Sequence, residues 1–261
     1  MLILLLSVTV LAWDYKQKGS DWDGQCANGT FQSPININLT DVETILTGSD
    51  RHVQLNFTLF TIETKGYWTN STYKIDGQLA NMTANRPSDQ WNQIASVLQL
   101  HFHSPSENHL NGIEYDIEVH VVMQDPTKQF TYIVYAVFFK QSDEVDGFII
   151  DCIEAEDKKV NFTLANLIKE PVVDDFYAFT GSLTTPPCSE NVLWLIDGRV
   201  RNVTQSQVGF FTKKWANNTE FAGGNGNDRQ IQFNNYRQII HYDDYASVLG
   251  LAITAFTALM F

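Results

Sequence analysis

Along residues 100–103 and again along 116–122, apolar and polar side chains alternate one by one, the period of a strand with one buried face. His101 and His103 therefore share a face. On the second strand Asp116, Glu118, His120 and Val122 share one face, while Ile117, Val119 and Val121 line the other. The segment between, 104–112, has Pro105 near its start and Asn111-Gly112 at its end, so the stretch predicts an antiparallel hairpin.

Elsewhere the pattern predicts short strands over 53–61, 68–75 and 78–82, and a turn followed by a strand over 29–39, opened by Ser33-Pro34. Asn85-Arg86-Pro87-Ser88 reads as a loop. Residues 130–139 are almost continuously β-branched or aromatic, as in a central strand buried on both faces. Residues 191–196 predict another strand, 205–215 the clearest helix, and 143–156 and 161–168 shorter helices. Residues 13–26 have no period and read as an extended arm; 223–228, GGNGND, reads as a flexible loop. Two prolines make Thr184-Thr185-Pro186-Pro187 a rigid loop. Many short strands with little helix predict one mainly β domain over 13–242.

The hairpin carries the candidate chemistry. Zinc accepts neutral imidazole nitrogen at about 2.0–2.1 Å, and three protein ligands leave a fourth tetrahedral position for water. His101, His103 and His120, with no cysteine beside them, therefore suggest a catalytic Zn2+ site rather than a closed structural one. Glu118 is placed to take the proton of a non-ligating ring nitrogen, which fixes tautomer and orientation. The plain alternative is three histidines brought together by chance on half-buried strands.

Composition adds the setting. Of 261 residues, 44% are hydrophobic and 13% aromatic, enough for a sizeable core, and the net charge of −13 argues against a nucleic-acid partner. Residues 1–12, MLILLLSVTVLA, resemble a secretory signal, the alternative being a buried N-terminal strand. Eight N-x-S/T sequons, at Asn28, Asn38, Asn56, Asn70, Asn81, Asn161, Asn202 and Asn217, support secretion or display at the cell surface. The last fifteen residues are uncharged, as in a GPI-attachment signal, with Asp243, Asp244 and Ser247 beside the attachment point. On that reading 243–261 is a removable tail, and the membrane is met only through a lipid anchor; the other reading packs the tail on the domain. Of Cys26, Cys152 and Cys188, an oxidising compartment makes two a disulfide, and spacing leaves the pair open.

The segments FQSPINI, LQLHFHSPSEN with EVHVV after it, GSLTTPPCSENVLW and NNYR follow one another in an order that resembles the α-class carbonic anhydrases over about residues 13–237. The resemblance implies a large twisted, mostly antiparallel sheet with short peripheral helices. It implies zinc on His101, His103 and His120, reversible hydration of CO2 to bicarbonate, and Glu118 as the outer partner of His120. It makes Thr184 the acceptor of a hydrogen bond from zinc-bound hydroxide and Glu107 the carboxylate to which Thr184 donates. Val122, Val134, Leu183, Thr185, Val192 and Trp194 match the substrate pocket, and Tyr15 a tyrosine of the active-site water network. Asn235 matches a residue behind the ligands, Arg237 a scaffold position, and Cys26 with Cys188 the disulfide of secreted members.

One departure stands out in the segment Lys65-Gly66-Tyr67, where fast members place a histidine proton shuttle and this chain has Tyr67. A phenol with an ordinary pKa near 10 relays protons poorly at pH 7, whereas imidazole near 6.5 is well matched. A slower, buffer-dependent enzyme is expected. Two rivals carry their own signatures. A cupin-like oxygenase would use His101, His103 and Glu107 for iron but needs a second ligand segment. A non-catalytic binding module on the same fold would tolerate loss of a zinc histidine, and none is lost here.

Overall fold

Alternation in the sequence becomes pairing in the sheet: strands Trp91–His103 and Ile117–Gln124 lie antiparallel, with His120 opposite His101 and Glu118 opposite His103. The structure is a computed structural model that describes residues 13–86 and 91–243, leaving aside the side chains of 91–93. The signal read over 1–12, the apolar tail after Asp243 and the Pro87-Ser88 half of the predicted loop lie outside the described residues.

Among the described residues thirteen strands form one sheet. Its path runs from Val172–Val173 through Gln54–Leu59, Ala80–Arg86, the two hairpin strands, Tyr132–Ser142, Glu190–Asp197, Phe176–Ser182 and Ile240–Asp243 to Glu43–Leu46. Most neighbours are antiparallel. The central strand Tyr132–Ser142, expected to be buried on both faces, is buried from Ile133 to Phe139 and pairs in parallel with Glu190–Asp197 and Arg201–Thr204, as Ile240–Asp243 does with Glu43–Leu46. A strand buried on both faces suits the middle of such a sheet.

Each face of the sheet has its own core. On one, Phe102, Val119, Val121 and Val137 pack with Phe148 and Phe211 from helices Gly147–Glu154 and Gln205–Ala216, Phe102 stacking on Phe211 at 4.6 Å. Both helices start at side-chain caps. Asp146 accepts from the backbone of Phe148 and Ile149, and Thr204 and Gln207 form a reciprocal capping box. The opposite face holds Val122, Val134, Val192 and Trp194, and carries the histidines.

Several expectations change. Residues 68–75 do not form one strand but the arms Gly66–Trp68 and Tyr73–Asp76 of a hairpin, because Thr69 closes a tight turn onto the Thr72 carbonyl. Residues 161–168 begin with strand Val160–Phe162, paired with Ile62–Thr64, so tertiary pairing overrides helical patterning there. Residues 13–26 fold into turns, rather than an extended arm, in which Trp13 meets Tyr15 and Trp22 edge to face and both Trp13 and Tyr15 pack on Phe221. Strand Ala80–Arg86 takes over the first half of the loop predicted at 85–88.

Candidate metal centre

Register builds the site in two parallel rows. His101, His120 and Ala136 lie side by side across three strands, and two residues along the same face come Val122, Val134, Trp194 and Phe179. Three imidazoles therefore border an apolar row, and the edge of the Trp194 ring system meets His120 at a centroid distance of 4.9 Å. Val122, Val134, Val192 and Trp194 are buried, and Leu183 and Thr185 are half-buried at the start of the proline loop.

Each ring has one nitrogen facing a protein acceptor. Nδ1 of His101 lies 3.0 Å from Oε1 of Gln99, Nδ1 of His103 lies 2.7 Å from the Asn227 carbonyl, and Nε2 of His120 lies 2.9 Å from Oε1 of Glu118. A carbonyl or carboxylate can only accept, so these contacts set the tautomers. The lone pairs of His101 Nε2, His103 Nε2 and His120 Nδ1 remain, and one ligand atom from each ring falls within 4.8 Å of the others. Burial first, then the neighbouring charges of His120 and Lys74, pushes His101 well below its usual pKa. Burial and the other two histidines do the same to His103, against the Asn227 carbonyl. Neutral imidazoles are the form a metal binds.

The carboxylates behind the rings are held as firmly. Glu118 accepts from the backbone of Glu107 and Asn108 and from Nδ2 of Asn108, each at 2.8 Å. Oε1 of Glu107 accepts from the Arg229 backbone at 2.9 Å, while its Oε2 faces the ligand cage, 3.3 Å from His103 Nε2 and 4.0 Å from His120 Nδ1. Burial raises the Glu107 pKa well above the carboxylate range, and hydrogen bonds from Thr184 and the Arg229 N–H oppose the rise. Thr184 is buried close enough to Glu107 to act on its carboxylate. Arg229 ties the cage to the disulfide arm, donating to the carbonyls of Ser33 and Cys26 and to Gln32. Cys26 and Cys188 are bonded to each other; Cys152 is a buried free thiol.

One expected position falls elsewhere. Asn235 does not stand behind the ligands: it is half-buried, and its Nδ2 donates to the Thr30 carbonyl. The group behind His103 is Asn227, from the segment expected to be a flexible loop. Gly226 brings that segment against Ser104-Pro105, where an added Cβ would meet backbone and ring at 2.6 Å, and Asn227, Asp228 and Arg229 are all buried. Tyr15 is 1% exposed, and its hydroxyl has no protein partner among the described residues, although Glu107 and Asp228 act on it electrostatically. Sequence reading missed Gln99, Asn108, Asn227 and Arg229. Gln99 was within reach, two residues before His101 on the same strand face; Asn227 acts through a backbone carbonyl, which no residue identity betrays.

A mainly β fold whose hairpin presents three convergent histidines beside an apolar wall defines a class of site that could hold a metal ion. The family model for eukaryotic-type carbonic anhydrases matches residues 17–243, and the chain belongs to that family. It is 30% identical to a carbonic anhydrase of Neisseria gonorrhoeae over 82% of this chain and 79% of that one. It is equally 30% identical to dioscorin DB3L of Dioscorea polystachya, over 83% and 77%. Among solved structures, the α-carbonic anhydrase of Thermovibrio ammonificans, in complex with the inhibitor sulfanilamide, is 26% identical with a TM-score of 0.64, covering 83% of this chain and 89% of that one. A dioscorin complexed with ascorbate shares the fold at 21% identity and a TM-score of 0.68, over 84% of this chain and 89% of that one.

Proposed function

We propose that the chain is a zinc-dependent carbonic anhydrase that interconverts CO2 and bicarbonate. The observation that carries this reading is the converging nitrogen cage, in which every ring's other nitrogen faces an acceptor. The donor set fits zinc: three neutral imidazoles leave the full charge of the ion unneutralised. Held there, zinc lowers the pKa of a water from 15.7 to about 7, the value established for carbonic anhydrases as a class.

The chain's own residues supply the rest. Gln99, Asn227 and Glu118 keep the rings turned toward one point, and positive charge in that cage favours the ionised form of Glu107. Glu107 then accepts a hydrogen bond from the Thr184 hydroxyl, so the Thr184 oxygen is left to accept in turn and can orient an attacking oxygen. Val122, Val134, Leu183, Val192 and Trp194 form a wall without hydrogen-bond partners for water along most of its surface, which suits an apolar substrate. Thr185, whose carbonyl accepts from the Cys188 N–H, closes the loop that holds Thr184 in place.

The test is stopped-flow CO2 hydration by the zinc-loaded protein, with a sulfonamide and His103→Ala as controls. Hydration abolished by both supports the reading. One equivalent of zinc retained without activity would move the chain to the non-catalytic module, a reading kept alive by its similarity to dioscorin. We also propose entry into the secretory route. Asn28, Asn70, Asn161, Asn202 and Asn217 are exposed, as glycan acceptors must be. An endoglycosidase mobility shift of protein recovered from cells tests that placement, and phospholipase release of the protein from membranes tests the GPI anchor.

A further inference from the structure

A second set of buried polar groups lies on the Asn227 side of the cage. Tyr15 and Lys18 sit on one turn, closed by the Lys18 N–H on the Tyr15 carbonyl at 2.9 Å. That turn is held against the segment behind His103, where the Gln230 N–H donates to the Lys18 carbonyl at 2.8 Å. Across this contact Nζ of Lys18 meets Oδ2 of Asp228 at 2.7 Å. The other carboxylate oxygen, Oδ1, is buried without a protein partner among the described residues, and so is the Tyr15 hydroxyl. Buried polar atoms left in this state are rare, and they point to ordered water or to chemistry.

These groups join the cage to the surface. Arg229, next to Asp228, donates its backbone N–H to Glu107, whose other oxygen faces the ligand nitrogens. Glu107, Asp228 and Arg229 all act electrostatically on Tyr15, so its hydroxyl stands within range of both carboxylates. The Asp228 side chain is 5% exposed and that of Lys18 36%, so the row runs from the interior to solvent. Burial raises the Asp228 carboxyl above its ordinary pKa, the Lys18 ammonium opposes the rise and Glu114 adds to it. A carboxyl moved toward neutrality takes up and returns a proton near pH 7 more readily than an ordinary one. A hydroxyl such as that of Tyr15 can donate and accept at once, and so can align water between two acceptors.

Resting on the carbonic anhydrase reading, we infer that Asp228 is a proton relay of this chain, receiving the proton released by each hydration through water at the Tyr15 hydroxyl and passing it to solvent beside Lys18. The Asp228 carboxylate gains one proton from water, becomes the neutral acid and loses the proton to bulk water or a buffer base; no electrons move. The zinc-loaded full chain is compared with Asp228→Asn, which keeps the side chain's shape, by stopped-flow hydration and by oxygen-18 loss from labelled CO2, in dilute and in imidazole buffer. In dilute buffer kcat and the release of labelled water should fall about threefold or more, kcat/KM and zinc content should hold, and imidazole should restore kcat. An infrared difference spectrum between acid and neutral pH gives a readout apart from turnover: one buried carboxyl band is expected in the wild type and none in Asp228→Asn. Lys18→Met removes the opposing ammonium and should move that band's midpoint to higher pH. Unchanged kcat in Asp228→Asn, a joint fall of kcat and kcat/KM without imidazole rescue, or no band assignable to Asp228 overturns the relay while leaving the enzyme assignment standing. A wild type that holds zinc and hydrates no CO2 overturns the assignment itself, and the relay with it.

Discussion

The Asn227 carbonyl accepts the Nδ1 proton of His103 at 2.7 Å, joining a loop near the end of the domain to a ligand strand 124 positions earlier. Gly226 makes the approach feasible, at φ +139° and with no room for a Cβ between Pro105 and Ser104. Gly226→Ala should displace Asn227 without touching a ligand. Outer partners of this kind are worth about 10–100-fold in metal affinity. We expect zinc to pass to a chelator correspondingly faster, and retention at the wild-type rate would show that the carbonyl does not orient the ring.

Tyr67 cannot serve as the proton relay in the neutral range. Its hydroxyl donates to Asp76, which also pairs with Lys74 at 2.8 Å, and that hydrogen bond, with burial behind it, pushes the phenol up to about 12. Turnover in dilute buffer should be limited by proton export and should rise when imidazole buffers are added. Tyr67→His should raise it without added imidazole. If neither change moves kcat, the limiting step is elsewhere.

Alkaline stability follows from the same groups. Burial pushes Tyr177 up to about 12, with Asp175 and Asp243 adding to it, and Tyr67 reaches about 12 as well, against about 10 in the unfolded chain. Tyr135 is raised well above its usual value by burial and Asp197. The folded state then holds more protons than the unfolded state between about pH 10 and 12. The stability these phenols contribute is complete below pH 10 and falls as pH rises through 12. Tyrosinate absorbance should therefore lag behind that of free tyrosine and develop together with unfolding; early titration of every tyrosine would contradict the burial.

The Cys26–Cys188 bond closes a loop of 162 residues and pins the start of the domain to the loop that carries Thr184. Disulfides over long loops contribute about 2–5 kcal/mol. The double variant Cys26→Ser, Cys188→Ser should lose that amount in denaturant titration, roughly 4–20 °C in Tm at about 2–4 °C per kcal/mol for a chain of this size. Hydration activity measured at low temperature should fall less than stability does, since no ligand is lost. An unchanged melting point would mean that the arm is held by the Arg229 hydrogen bonds alone.

The hairpin was legible in the sequence because its information is local. Strand period places His101, His103, Glu118 and His120 on faces without reference to the rest of the chain, and the continuous apolar run at 130–139 marks a strand with neighbours on both sides. The helix at Gln205–Ala216 is legible for the same reason, its cap and first turn lying within four residues. The family motifs add Glu107, Thr184 and the apolar wall. Other features depend on long-range contacts. Residues 161–168 were patterned for a helix, but Val160–Phe162 gains more by pairing with Ile62–Thr64. NNYR matched by motif, yet eight residues earlier the glycine-permitted fold of Asn227 supplies the acceptor behind His103. The row that sets Val122 and Val134 beside Trp194 arises only when strands 60 residues apart enter register, because side-chain period decides which way a residue faces and sheet order decides what it faces.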